Sequence, residues 1–193
     1  MQFPTLLEGK RIRIYPLESE HAEPLFACGN DNEIWTYLPV KVESLSDMVQ
    51  LVEKALQNKQ QGLEYPLVVF DKELNRIVGS TRLLNINQPH RNLEIGWTWY
   101  SPEVWRSRVN TECKYLLFKY CFEELELIRV QLKADARNDR SNKAIKRIGA
   151  IQEGVMRQDR IMPDGFVRNA NLYSIIDSEW PDVKQQLESY LND

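Results

Sequence analysis

A chain of 193 residues, 42% hydrophobic and 27% charged, is long enough to bury a core without help from a metal or disulfides. Its net charge of −3 excludes a broad basic footprint for nucleic acid, and no apolar run nears the roughly 20 residues that span a bilayer. Three cysteines without C-x-x-C spacing and two distant histidines, His21 and His90, exclude a disulfide framework and point away from any metal site. The stretch from Met1 to Gly9 lacks the basic and apolar regions of a signal peptide, so one domain over residues 1–193 in a reducing cytoplasm is expected.

In chain order, Lys10–Leu17 alternates charged and apolar residues as a half-buried strand does. Ser19–Gly29 reads as a short helix. Ser44 and Asp47 are spaced as a capping box, with Asp in place of Glu, before a helix whose apolar residues Leu45, Met48, Val49, Val52, Ala55 and Leu56 share a side. Tyr65–Phe70 and Arg76–Leu84 predict two strands around a turn, and Leu93–Tyr100 a third. Helical spacing returns over Val109–Leu125. Ile128–Ala134 predicts a strand, Ser141–Ile148 a helix stopped by Gly149, and Val155–Ile161 with Val167–Ile176 a hairpin around Pro163-Asp164-Gly165. A last helix begins after Asp177 or Ser178. The class is α+β, or mixed α/β, with no repeat and no linker.

The chain has no G-x-G-x-x-G, no G-x-x-x-x-G-K-[ST] and no G-x-S-x-G, and two isolated histidines give a Ser-His-Asp triad little material. Two segments stand out instead. Trp105-Arg106-Ser107-Arg108-Val109-Asn110-Thr111-Glu112 leads from a strand into a helix, where free backbone N–H groups and the helix dipole suit a phosphate. The same segment also reads as an ordinary connection with solvated arginines. Asn138-Asp139-Arg140-Ser141 follows a strand and opens a helix, and its plain reading is that Ser141 caps the helix while Asn138 closes the turn.

Together with Glu94-Ile95-Gly96-Trp97, Asn110-Thr111-Glu112-Cys113-Lys114, Arg147-Ile148-Gly149-Ala150, Glu153-Gly154-Val155-Met156-Arg157, Pro163-Asp164-Gly165 with Arg168, and Glu179-Trp180-Pro181, these segments resemble the Gcn5-related N-acetyltransferase (GNAT) superfamily, and within it the RimJ/RimL-like branch. The resemblance runs from Leu7 to the C-terminal helix. It implies a central, mostly antiparallel sheet with splayed strands flanked by helices, and acetyl-CoA as co-substrate without a metal. The superfamily's loop [Q/R]-x-x-G-x-[G/A] falls on Trp105–Asn110, with Arg108 and Asn110 at the two small positions.

By that resemblance Arg106, Ser107, Arg108, Val109, Asn110 and Thr111 hold the pyrophosphate. The strand carrying Trp97 and Trp99 holds the pantetheine arm, and Asn138 fixes the arm or the turn. Glu94 is the candidate base, acting through water, because an α-amino group has a pKa near ~8 and must lose a proton before it attacks. The tyrosine many members carry seven residues after the Asn138 position is Ile145 here, so Ser141 is the candidate donor to the leaving thiolate. Glu33, Trp35 and Tyr37, beside Asp31, are candidates to receive a cationic acceptor, and they also read as a capped turn with core aromatics. The expected activity is direct acetyl transfer to a primary amine, at a protein or peptide N-terminus. A polyamine, amino-sugar or drug acetyltransferase and a non-catalytic CoA-binding module are the alternatives. Neither nucleic acid nor membrane is an expected partner, and a homodimer is.

Overall fold

A computed structural model describes residues 3–192; Met1, Gln2 and Asp193, which fall within the expected 1–193 domain, lie outside it. The strands are β1 (Leu7–Glu8), β2 (Ile12–Pro16), β3 (Glu64–Asp71), β4 (Arg76–Asn87), β5 (Asn92–Tyr100), β6 (Arg129–Asp135), β7 (Ile151–Ile161) and β8 (Val167–Ile176). The helices are α1 (Ala22–Gly29), α2 (Asn32–Trp35), α3 (Leu45–Gln60), α4 (Val109–Lys119), α5 (Asp139–Arg147) and α6 (Trp180–Asn192). The strands form one sheet in the order β1-β2-β3-β4-β5-β6-β8-β7. Every pairing is antiparallel except β5 with β6. That parallel ladder covers only Asn92↔Arg129, Leu93↔Val130 and Glu94↔Gln131, after which the two strands part.

Alternation along the strands builds a core on each face. On β3, Leu67 and Val69 enter one core and Val68 the other. The first core holds Cys113, Leu117 and Phe118 of α4 with Trp180, Val183 and Leu187 of α6; the second holds Leu25 of α1 with Met48, Val52 and Ala55 of α3. Each fully buried side chain of Leu or Phe size contributes roughly 1.5–3 kcal/mol. Gly149 stands at φ +90 between α5 and β7, and a Cβ there would meet Val183 Cγ2 at 2.8 Å.

The capping box of α3 forms as its spacing predicts, with Ser44 Oγ accepting from Asp47 N and Asp47 Oδ2 accepting from Ser44 N. Two helices differ from expectation. The helix expected to run to Leu125 stops at Lys119 and continues as a π turn over Tyr120–Glu124, which turns the adjacent Cys121 and Phe122 both inward. The helix expected from Ser141 starts at Asp139, because Asn138 is its cap: Asn138 Oδ1 accepts from Ser141 N at 3.0 Å.

Candidate active site between the diverging strands

Where β5 leaves β6, its pairing with β4 is also irregular. Ser80 faces Trp99 and Arg82 faces Gly96, so β5 bulges by one residue, with Trp97 in the left-handed region at φ 51. Backbone groups on the side of β5 facing β6 past Glu94 therefore lack a strand partner, and so do those of β6 facing β5 past Gln131. A slot walled by two such edges fits a ligand that carries amides of its own. Trp97 covers part of the bulge, with the Arg82 guanidinium 4.4 Å from its ring centroid and Arg82 in turn paired to buried Glu64 at 2.9 Å. The Trp99 side chain takes no part in the slot. It packs in the second core, 5.1 Å from the Trp35 ring, which leaves only its backbone for a ligand.

Glu94 is buried at the point of divergence. Its Oε2 accepts from Asn85 Nδ2 and Gln131 Nε2 at 2.9 Å each and pairs with Lys133 Nζ at 3.1 Å. Oε1 has no partner among the described residues and lies 3.2 Å from where a Cβ on Gly96 would stand. One oxygen anchors the carboxylate, and the other faces the bulge.

The loop after β5 leads into α4. Arg106 takes φ +60 and its guanidinium has no partner among the described residues. Ser107 shapes the turn: its Oγ donates to Val104 O at 2.6 Å and accepts from Val109 N at 3.3 Å. Arg108 occupies the superfamily's glycine position at an ordinary φ of −74, so no glycine is required for the backbone there. One nitrogen of its guanidinium donates to Leu191 O on α6 at 3.2 Å. Val109 is core, and Thr111 Oγ1 is taken by Arg147. The candidate anion site is the pair of first-turn amides of Asn110 and Thr111, which have no intrahelical acceptor, together with Arg106.

The first turn of α4 also carries an acid. Glu112 is buried, and its carboxylate accepts from the consecutive amides of Lys10, Arg11 and Ile12 at 2.5–3.2 Å. Two residues on, Lys114 reaches across to β5, where its Nζ donates to Thr98 Oγ1 at 2.9 Å.

On the other side of the slot, α5 starts directly after β6. Because Asn138 supplies the cap, Ser141 sits in the first turn with its Oγ unpartnered among the described residues, and the expectation that Ser141 caps the helix is overturned. Asn142, which the sequence reading passed over, holds the turn in place. Its Nδ2 donates to Asp135 O and Asn138 O, and its Oδ1 accepts from Asn171 Nδ2 and Tyr173 Oη, all within 2.9 Å. Tyr173 is fully buried by that bond, and Glu153 is held by Arg129 and Ser174, so both are structural.

The early segment splits. Asp31 caps α2, and Trp35 is core, its Nε1 donating to Gly29 O at 2.8 Å, so Trp35 offers nothing to an acceptor. Glu33 pairs with Arg140 at 2.8 Å, and the Arg140 guanidinium lies 3.5 Å from the Trp105 ring centroid. Arg140 thus links the helix after β6 to the loop after β5, and the ion pair neutralises the carboxylate expected to draw in a cation. Tyr37 stands 5.8 Å from the Arg137 guanidinium, which stacks on Phe166 at 3.7 Å, and Arg168 donates to Tyr37 O at 3.3 Å.

The family model of the acetyltransferase (GNAT) domain matches residues 11–151. YoaA of Bacillus subtilis, named an uncharacterized N-acetyltransferase, is 27% identical over 177 residues, covering 90% of this chain and 97% of its own. The ribosomal-protein-serine acetyltransferase of Escherichia coli is 23% identical over 180 residues, covering 91% and 98%. A GCN5-related N-acetyltransferase from Brucella melitensis superposes with a TM-score of 0.91 at 26% identity, over 98% of this chain and 86% of that one.

Proposed function

From the premise that the chain belongs to the GNAT acetyltransferase family and is an N-acetyltransferase, we propose that it transfers acetyl from acetyl-CoA to a primary amine at a peptide or protein N-terminus, by direct attack. The observation that carries this reading is the slot: β5 and β6 part after three paired positions, with a bulge at Trp97–Thr98 on β5 and Ser141 in the first turn of the helix that follows β6. Acetyl-CoA, when bound, supplies an acetyl group activated as a thioester. The unpaired edges of β5 and β6 hold the pantetheine arm, and Asn110 N–H, Thr111 N–H and Arg106 hold the pyrophosphate.

Glu94 Oε1 takes a proton from the acceptor ammonium through water, while Oε2 stays fixed by Asn85, Gln131 and Lys133. Ser141 Oγ donates a hydrogen bond toward the sulfur as negative charge grows there. A covalent acyl-cysteine route lacks a thiolate. All three cysteines are buried, and burial pushes the thiols of Cys28 and Cys121 up to about 12 and that of Cys113 upward as well.

The peptide acceptor is supported by the similarity to the ribosomal-protein-serine acetyltransferase of Escherichia coli and by the RimJ/RimL-like motifs. The test is thiol release with matched peptides bearing free or blocked N-termini, beside polyamines and amino sugars. Turnover of free but not blocked peptides is the expected result. Turnover of a small amine with inert peptides overturns the acceptor class, and no turnover with any amine overturns the activity.

A further inference from the structure

The β7–β8 hairpin carries a second irregularity, away from the slot. Met156 faces Ala170 and Arg160 faces Arg168, so three residues of β7, Arg157 to Asp159, lie opposite Asn169 alone. Gln158 takes φ 52, and its N–H donates to Asn169 Oδ1 at 2.8 Å. The bulge opens a hollow of about 660 Å³ lined by Arg157, Gln158 and Asn169.

Donors without acceptors face this hollow. The Arg157 guanidinium has no partner among the described residues, and Asn169 spends its oxygen on Gln158 N, leaving its Nδ2 free. The nearby acids are committed elsewhere: Asp159 to Arg168 at 3.0 Å, Asp135 to Arg137 at 2.8 Å, and Glu33 to Arg140 at 2.8 Å. Asp164 accepts from Phe166 N in the hairpin turn. Arg157 and Arg160 on β7 have no acidic partner among the described residues, so the local balance favours an anion.

The hollow is also tied to the reacting edge. Asn169 O accepts from Ala136 N at 2.9 Å, two residues before the Asn138 cap that sets Ser141. In the sheet β7 lies two strands from β6, a span of roughly 10 Å at ~4.8 Å per strand. An extended peptide covers that in about three residues at ~3.3 Å each, whereas an amine with its carboxylate on the same carbon does not.

We propose that this hollow seats an acidic side chain near the third residue of the acceptor peptide, so that acidic N-termini are the preferred substrates; the proposal rests on the reading of the chain as a peptide N-acetyltransferase. Arg157 supplies the guanidinium that binds the carboxylate, and Asn169 Nδ2 adds a neutral donor. The experiment uses decapeptides with a free N-terminus that differ only at position three, as Asp, Asn or Lys. They are assayed for kcat/KM by thiol release and for binding by fluorescence anisotropy in the presence of CoA.

The wild type is expected to favour Asp over Asn about tenfold in both readouts. Arg157→Glu, an exposed substitution, should abolish that preference and shift it toward Lys, leaving the KM for acetyl-CoA unchanged. Equal handling of Asp and Asn by the wild type, or an unchanged preference in Arg157→Glu, overturns the proposal even with turnover intact. Binding of the Asp peptide that depends on Arg157 without any turnover upholds the hollow and overturns the activity instead.

Discussion

Lys114 is buried in α4 with Thr98 Oγ1 as its partner, itself 2.8 Å from Thr81 Oγ1, and no carboxylate pairs with it among the described residues. Burial drives its pKa from 10.5 down to about 8. At about 1.4 kcal/mol per decade, holding the ammonium inside costs the fold about 3 kcal/mol at pH 7. The sign follows from proton counting. Between about pH 8 and 10.5 the unfolded chain keeps the proton that the folded chain has lost, so stability rises with pH across that window. The cost is fully present below about pH 8.

Lys114→Met keeps the length of the side chain and removes the charge, and Thr98 retains Thr81 as a partner. The variant should be more stable than the wild type by about 3 kcal/mol at pH 7, which for a chain of this size raises Tm by roughly 6–12 °C. Urea melts of both proteins from pH 7 to 10.5 test this, because the other titrating groups cancel in the difference. The gap should close toward pH 10.5. A variant that is less stable than the wild type, with a difference flat in pH, would refute the reasoning and show the ammonium to be fully compensated.

Ser141→Ala should lower kcat while leaving the urea midpoint unchanged, because the cap is Asn138; Asn138→Ala, by contrast, should cost about 1 kcal/mol of stability in the same melts. Acetyl-CoA at about 100 times its Kd should stabilise the fold by about 2.7 kcal/mol in a thermal scan, and the absence of any shift with millimolar CoA counts against the slot as its site. Arg140→Ala should speed release of CoA in stopped-flow chase, since it removes the contact that joins α5 to Trp105 and Glu33; an unchanged rate would show that this contact does not gate the slot. Gly149→Ala should lower the thermal midpoint, because the new Cβ is both strained at φ +90 and 2.8 Å from Val183.

What the sequence showed well was local. The capping box of α3 needs only Ser44 and Asp47, three positions apart, and it forms as its spacing predicts. The strands alternate as their patterns require, and the loop of residues 105–108 leads from β5 into α4 as its position indicated. Non-local geometry was hidden. The parting of β5 from β6 depends on where a ladder ends, and neither strand carries a mark of that in its own residues. Glu33 and Arg140 are 107 positions apart, so their pairing had no signal in spacing. Asn138 and Ser141 are both good caps, and the choice between them turned on Asn142, a polar residue that looks like surface until its four hydrogen bonds are seen. Trp35 could be read either as an acceptor-facing or as a core aromatic, because an aromatic pattern does not say which face it serves, and it packs against Trp99 in the second core.

Glu112 places a carboxylate in the first turn of the helix whose free amides we propose for the pyrophosphate, an arrangement that would oppose the ligand were the charge exposed. The amides of Lys10, Arg11 and Ile12 instead disperse it into the backbone between β1 and β2. Neutral N–H groups from the opening residues of the chain therefore solvate an acid about a hundred positions away, beside the proposed phosphate site. A truncation that begins after Ile12 would unmask an acid beside the proposed phosphate site, and its first symptom should be a weakened hold on CoA that added salt partly restores.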